Sequence, residues 1–144
     1  LKIEMLINNA GFGVTSDFAK NDVAELEKML ILNIVTLTKL SRLYLGQLKE
    51  GQGTLINVSS RAAFQPIPFM AAYAASKAYV LHLSEALFEE LKEEGIHVMA
   101  LCPGATDTNF WEVIPGFKNN ATAFSARFLS RSLVTKISRK LVGR

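Results

Sequence analysis

The chain has 144 residues, a formal net charge of +3, 49% hydrophobic residues and a mean hydropathy of +0.21. That length suits one domain, and no uninterrupted apolar run reaches the roughly 20 residues that a membrane-spanning helix requires. The single cysteine, Cys102, excludes an internal disulfide, and His82 and His97 have no cysteine or carboxylate at ligand spacing, which argues against a zinc site.

Residues 2–9 read as a strand that closes on Asn8-Asn9-Ala10-Gly11. A loop with Gly11, Gly13, Thr15, Ser16 and Asp17 follows. Asn21-Asp22 then opens a long helical pattern, with Glu25 placed for a capping-box-like start. Its apolar positions (Leu26, Met29, Leu30, Ile34, Leu37, Leu40, Leu45) recur near a 3.6 period. Gly51-Gln52-Gly53 ends that helix and launches a second strand, Leu55-Ile56-Asn57-Val58-Ser59-Ser60. Residues 61–69 are irregular, with Pro66 and Pro68. A second helix starts near Phe69 or Met70, runs to Glu94 and stops at Gly95. The third strand is 96–102, ended by Pro103-Gly104.

This alternation is βαβαβ, which implies a parallel sheet with right-handed crossovers. Parallel sheets covered on both faces have near-continuous apolar strands, which accounts for the composition. Ligands in such sheets bind beyond the carboxyl ends of the strands. Asn9, Ser60 and Pro103-Gly104 all fall at those ends.

The most informative stretch is Tyr73-Ala-Ala-Ser-Lys77, with Ser60 upstream. Residues four apart share one helix face, so the Lys77 ammonium can sit beside the Tyr73 phenol. A nearby cation favours phenolate and lowers the phenol pKa from about 10. That equips Tyr73 to move a proton on or off an alcohol or carbonyl oxygen. Cys102 ends an apolar strand and reads as an inert thiol. Asn57-Val58-Ser59 and Asn120-Ala121-Thr122 match a glycosylation pattern, but the first lies in a strand expected to be buried and nothing points to secretion, so both are discounted.

Four motifs in order, Asn8-Asn9-Ala10-Gly11, Ser60, Tyr-x-x-x-Lys at 73–77, and Pro103-Gly104 with Thr106 and Thr108, resemble the short-chain dehydrogenase/reductase family from residue 2 to about 110. The resemblance implies a Rossmann-like doubly wound α/β fold and an oxidoreductase that interconverts a secondary alcohol and a ketone with NAD or NADP. It implies Tyr73 as general acid/base, Lys77 as the group that tunes Tyr73 and holds the nicotinamide ribose, and Ser60 as the group that orients the substrate oxygen. Ser59 is the adjacent rival. Asn33 matches a helix asparagine that holds a water in a proton relay; an ordinary satisfied polar residue is the competing reading. Asn9, Ala10 and Gly11 match the segment along the cofactor's adenosine side. Pro103, Gly104, Thr106 and Thr108 match the segment at its nicotinamide end. Phe64, Phe69, Phe110 and Trp111 are candidates for a substrate pocket or for core packing, and Tyr44 and Tyr79 for packing or surface.

The resemblance also implies incompleteness. A dinucleotide fold needs two βαβαβ halves, and only one is visible. Members of the family carry a Gly-rich phosphate loop well before the Asn-Asn-Ala-Gly turn. At roughly 30 residues per βαβ unit, about 80 residues are expected upstream. A second junction is expected near Trp111, which runs almost straight into Glu112-Val113-Ile114-Pro115-Gly116, a short strand-like run resembling the far C-terminal part of a bacterial subgroup. Residues 1–116 therefore read as a partial catalytic region and 117–144 as a separate tail.

The charge is uneven. Residues 118–144 hold seven Lys/Arg and no acid, while residues 1–117 hold nine basic against 13 acidic residues, a balance of −4. In the tail Phe124, Phe128, Leu129, Leu133, Ile137 and Leu141 interleave with Arg and Lys, a basic amphipathic helix pattern. Docking on this subunit or a homo-oligomer partner is the first reading. Peripheral attachment to an anionic membrane surface is the second, and nucleic-acid binding has no supporting motif. The expected location is cytoplasmic. Two rival functions belong to other classes: a non-catalytic binding or scaffold fragment, and a serine hydrolase using Ser59 or Ser60, which lacks a G-x-S-x-G elbow.

Overall fold

The structure is a computed structural model and describes residues 3–104. Three parallel strands, β1 (Met5–Asn8), β2 (Thr54–Val58) and β3 (His97–Leu101), lie side by side in the order β1-β2-β3. Leu6, Leu55 and Val98 form one register row; Asn8, Asn57 and Ala100 form the row two residues nearer the carboxyl ends. The first and third strands are shorter at both ends than the sequence suggests, and the second begins one residue earlier, at Thr54, and ends two earlier, at Val58. Thr106, Thr108, Phe110, Trp111, the strand-like run 112–116 and the whole basic tail lie outside the described residues.

A continuous helical rod connects β1 to β2. It comprises α1 (Val23–Leu30), a π-helical turn (Ile31–Thr36) and α2 (Leu37–Gly51). Asp22 caps it by accepting a hydrogen bond from Ala24 N. Met29, Asn33, Leu37, Ser41 and Leu48 make its buried stripe. Four-residue steps overshoot a 3.6-residue turn, and the wider π turn takes up the drift between Met29 and Leu37. By length and composition alone this rod could cross a membrane; its buried asparagine and serine and its packing on β1, β2 and α3 make it a core helix with one covered face. The rod stops within Gly51-Gln52-Gly53 as expected, and Gln52 is the residue that takes the left-handed turn, with φ 49°.

Helix α3 (Ala71–Leu91) connects β2 to β3, continues into a short 3-10 turn (Lys92–Glu94), and ends at Gly95 with φ 77°. The irregular segment after β2 includes a 3-10 turn (Arg61–Phe64). Phe69, just before α3, holds a left-handed φ of 67°, unusual for a bulky residue. Its carbonyl accepts from Ser16 N at 2.9 Å, which ties the loop after β1 to the start of α3.

Sequential strand order with same-handed crossovers puts both connections on one face of the sheet. Leu55 and Val98 pack there with Leu48, Leu91 and Ile96. Asn8 and Asn57 face the same side and form a polar layer. Asn8 Nδ2 donates to Ser41 Oγ (3.0 Å) and Asn57 Oδ1 (2.8 Å), and Asn57 Nδ2 donates to Ser84 Oγ (3.0 Å). A second apolar cluster of Met29, Ala62, Tyr73 and Ala74 lies toward the site. The composition suggested a sheet covered on both faces. Among the described residues only one is covered, and Met5, Ile7, Met99 and Leu101 are exposed.

Gly53 sits where chains converge: a Cβ there would lie 2.6 Å from Glu4 O and 2.9 Å from Leu48 Cδ2. Gly53→Ala is expected to destabilise the fold by roughly 1–3 kcal/mol, as overpacking does. Urea unfolding followed by circular dichroism measures this.

Candidate active site

The site lies at the carboxyl ends of the strands. The chain continues the β2–β3 pairing beyond the strands themselves, with Ser59 N donating to Leu101 O (2.7 Å) and Arg61 N to Pro103 O (3.1 Å). Ser60 and Pro103 are thereby held at one mouth. Asn9 and Ala10 are exposed there, and Gly11 is half-buried.

Two reciprocal bonds strap α3 to the end of β2. Lys77 Nζ donates to Val58 O at 2.9 Å, and Ser59 Oγ donates to Lys77 O at 2.7 Å. Ser59 is thus committed to the helix backbone. Ser60 caps the following 3-10 turn by accepting from Ala62 N at 3.1 Å, and its hydroxyl is hydrogen-bonded to Tyr73. The geometry therefore separates the two serines and brings Ser60 to the phenol. The Lys77 ammonium lies over the Tyr73 ring, 5.8 Å from its centroid.

Burial dominates the electrostatics. It pushes the Tyr73 phenol above its ordinary value, and the Ser60 hydrogen bond pulls the other way. It also lowers the Lys77 ammonium. The net shift of the phenol is therefore upward, opposite to the direction that the four-residue spacing suggested, and burial sets it. A cation over the ring face does not offset the cost of desolvating phenolate. Tyr73 is a protonated phenol at neutral pH, the form that donates a proton. Burial likewise raises the half-buried Cys102 thiol, as suits an inert group.

Asn33, in the π turn, is 1% exposed. Its Oδ1 accepts from Phe12 N (3.2 Å), and its Nδ2 donates to Phe12 O (2.9 Å) and Ser76 Oγ (3.2 Å). The carboxamide has no hydrogen left to donate, so its visible work is to clamp the backbone just after Gly11. A Cβ at Gly11 would lie 2.9 Å from Asn33 Oδ1 and 3.4 Å from Lys77 Nζ, so only glycine allows this approach.

Sequence reasoning passed over Ser76, Ser59's strap and the Asn8–Asn57 layer. The available signal was a set of polar residues inside apolar runs, with Ser76 in the middle of the Tyr-x-x-x-Lys motif. The hydrolase alternative finds no support in geometry. His97 begins β3 at the opposite end of the sheet, His82 is exposed on α3, and neither bonds to Ser59 or Ser60. Among the described residues no three His, Cys, Asp or Glu side chains are placed to hold a metal ion.

The fold and this mouth define a parallel α/β protein with a Ser–Tyr–Lys constellation at its strand ends. The family model of the short chain dehydrogenases matches residues 1–117. A very-long-chain 3-oxoacyl-CoA reductase from Anas platyrhynchos is 37% identical over 108 residues, covering 72% of this chain and 35% of that protein. The ketoacyl reductase HetN from Nostoc sp. is 34% identical over 103 residues, covering 71% of this chain and 36% of HetN. The solved short-chain dehydrogenase from Sphingobium yanoikuyae in complex with NADPH superposes with a TM-score of 0.72 at 36% identity, covering 76% of this chain and 43% of that one. The chain belongs to the short-chain dehydrogenase family, and it spans about a third of the length of these two curated relatives.

Tyrosinate absorbance against pH, in wild type minus Tyr73→Phe, isolates Tyr73 from Tyr44 and Tyr79. Burial disfavours the anion, so Tyr73 is expected to ionise above the ordinary value of about 10. Ser60→Ala removes a bond that favours the anion and should move ionisation higher still. Movement to lower pH would contradict the assigned contact.

Proposed function

We propose that this chain carries the catalytic residues of an NAD(P)-dependent oxidoreductase that interconverts a secondary alcohol and a ketone. The carrying observation is the buried Tyr73 phenol, hydrogen-bonded to Ser60 and overlain by the Lys77 ammonium at the strand ends. The names of two relatives, ketoacyl reductase and 3-oxoacyl-CoA reductase, support reduction of a keto group as the favoured direction.

In that direction Ser60 donates a hydrogen bond to the substrate carbonyl oxygen and fixes its position. Tyr73 gives its proton to the same oxygen as the carbonyl carbon is reduced. A bound nicotinamide supplies the hydride. An ammonium has three donors; Val58 takes one, and Lys77 is suited to hold the cofactor ribose with another. Asn9, Ala10 and Gly11 are assigned to the adenosine side, and Pro103, Gly104, Thr106 and Thr108 to the nicotinamide end. In the reverse direction Tyr73 must first lose its proton, so alcohol oxidation rises with pH while ketone reduction does not.

The same reading includes a homo-oligomer. Ile31, Val35 and Leu43 on the rod and Tyr79 on α3 are exposed, Leu43 at 72%. Together they make an apolar patch of the kind that marks association, and a second copy of this chain is assigned to it. Sedimentation of the complete protein is expected to show at least a dimer, and Leu43→Glu to shift it toward monomer.

In the complete protein, Tyr73→Phe should lower turnover by roughly 10²–10⁴-fold, the usual weight of general acid–base catalysis, with cofactor affinity little changed. Lys77→Ala should weaken both turnover and cofactor binding. Steady-state ketone reduction and NAD(P)H fluorescence titration measure the two effects. Retained turnover in Tyr73→Phe would remove the basis of the proposal.

A further inference from the structure

Three asparagine–serine pairs on this scaffold share one design, and two of them, Asn57–Ser84 and Asn33–Ser76, have their serine on α3. In each, an asparagine Nδ2 donates to a buried serine Oγ, and that hydroxyl donates to a carbonyl of its own helix. Asn57 donates to Ser84 (3.0 Å), which donates to Val80 O (2.7 Å). Asn33 donates to Ser76 (3.2 Å), which donates to Tyr73 O (2.7 Å). Ser84 and Ser76 are 2% and 0% exposed. The first pair lies in the polar layer beneath the sheet. The second ends on the backbone of the residue whose phenol faces Ser60.

We infer that Ser76 is a positioning residue for the reaction, coupling the helix turn that carries Tyr73 and Lys77 to the Asn33–Phe12 clamp behind Gly11. The inference rests on the proposed role of Tyr73. The Ser76 hydroxyl has one hydrogen, and Tyr73 O takes it. Its oxygen can then only accept, so the amino side of the Asn33 carboxamide faces α3 and Oδ1 faces Phe12 N and Gly11. A polarity relay of three groups thus sets which end of Asn33 meets the stretch beside Lys77. Removing the Ser76 oxygen leaves a buried Nδ2 hydrogen without its acceptor, a costly state. The carboxamide can relieve it only by shifting the clamp against Gly11, where Oδ1 already stands too close for any Cβ. Displacement of that order at a proton-transfer site lowers turnover without removing a group that touches substrate.

The test uses the complete protein and compares Ser76→Ala with Ser84→Ala, whose bonding is equivalent but remote from the mouth. Ser76→Ala is expected to lower kcat about tenfold and shift the pH profile of alcohol oxidation, with the substrate KM within about twofold. Ser84→Ala is expected to lower Tm by a similar amount and leave kcat and the profile unchanged. Combined with Asn33→Ala, Ser76→Ala should add little further loss, because the two act through one contact. Ser76→Cys, nearly the same size with a weak donor, serves if Ser76→Ala does not fold, and should fall between it and wild type in kcat. Equal loss of kcat in the Ser76 and Ser84 variants, or full additivity with Asn33→Ala, overturns the inference. If Tyr73→Phe retains turnover, it is the underlying reading that fails, whatever Ser76 does.

Discussion

A lysine ammonium buried to 5% exposure has few tolerable positions. Desolvation disfavours its charge, so the fold must supply oxygen ligands where side-chain acids are absent. Here the supply is a main-chain carbonyl. Val58 is the last residue of β2, and its oxygen takes the Lys77 hydrogen bond, while Ser59 returns one to the Lys77 carbonyl. That double strap sets the height of α3 over the sheet. Tyr73, one turn earlier, is carried with it to Ser60. Neither strap involves the phenol, so α3 brings Tyr73 to Ser60 through bonds that the phenol does not itself make.

The polar layer beneath the strap answers a related problem. Side chains between the two apolar clusters could have been apolar, which would let α3 slide along the sheet with little change in contact. Asparagine and serine impose direction, because each donor must meet an acceptor. Asn8 spans to the rod and to β2, Asn57 spans to α3, and Ser41 and Ser84 return the bonds to their own helices at Leu37 O and Val80 O. The site is thus fixed by hydrogen bonds whose partners are mostly backbone, while the layer below it serves the stability of the fold.

Much of this was legible in the sequence. Strand-ending turns, the 3.6-residue spacing of the rod and Gly95 gave the order and kind of every major element. The four-residue spacing of Tyr73 and Lys77 put both on one face, as found. Other features were not legible for definite reasons. The π turn arises from packing, because nothing local in Ile-Leu-Asn-Ile-Val-Thr distinguishes it from an ordinary helix. Gln52 takes the left-handed stop although glycines flank it, and the Gly53 beside it is needed for its small volume against Glu4 and Leu48. The sign of the Tyr73 shift depends on burial, which spacing does not report. Ser76 was invisible because a serine within a helix is common, and only its two contacts distinguish it.

The uncovered side of the sheet has a practical corollary for anyone who purifies these residues alone. Among the described residues, Met5, Ile7, Met99 and Leu101 offer an exposed apolar face with β1 and β3 at its two edges. Such a face adheres to its own kind. Produced by themselves, residues 3–104 should drift into inclusion bodies or seek a chaperone, and detergent or a fused solubility partner becomes the first requirement at the bench.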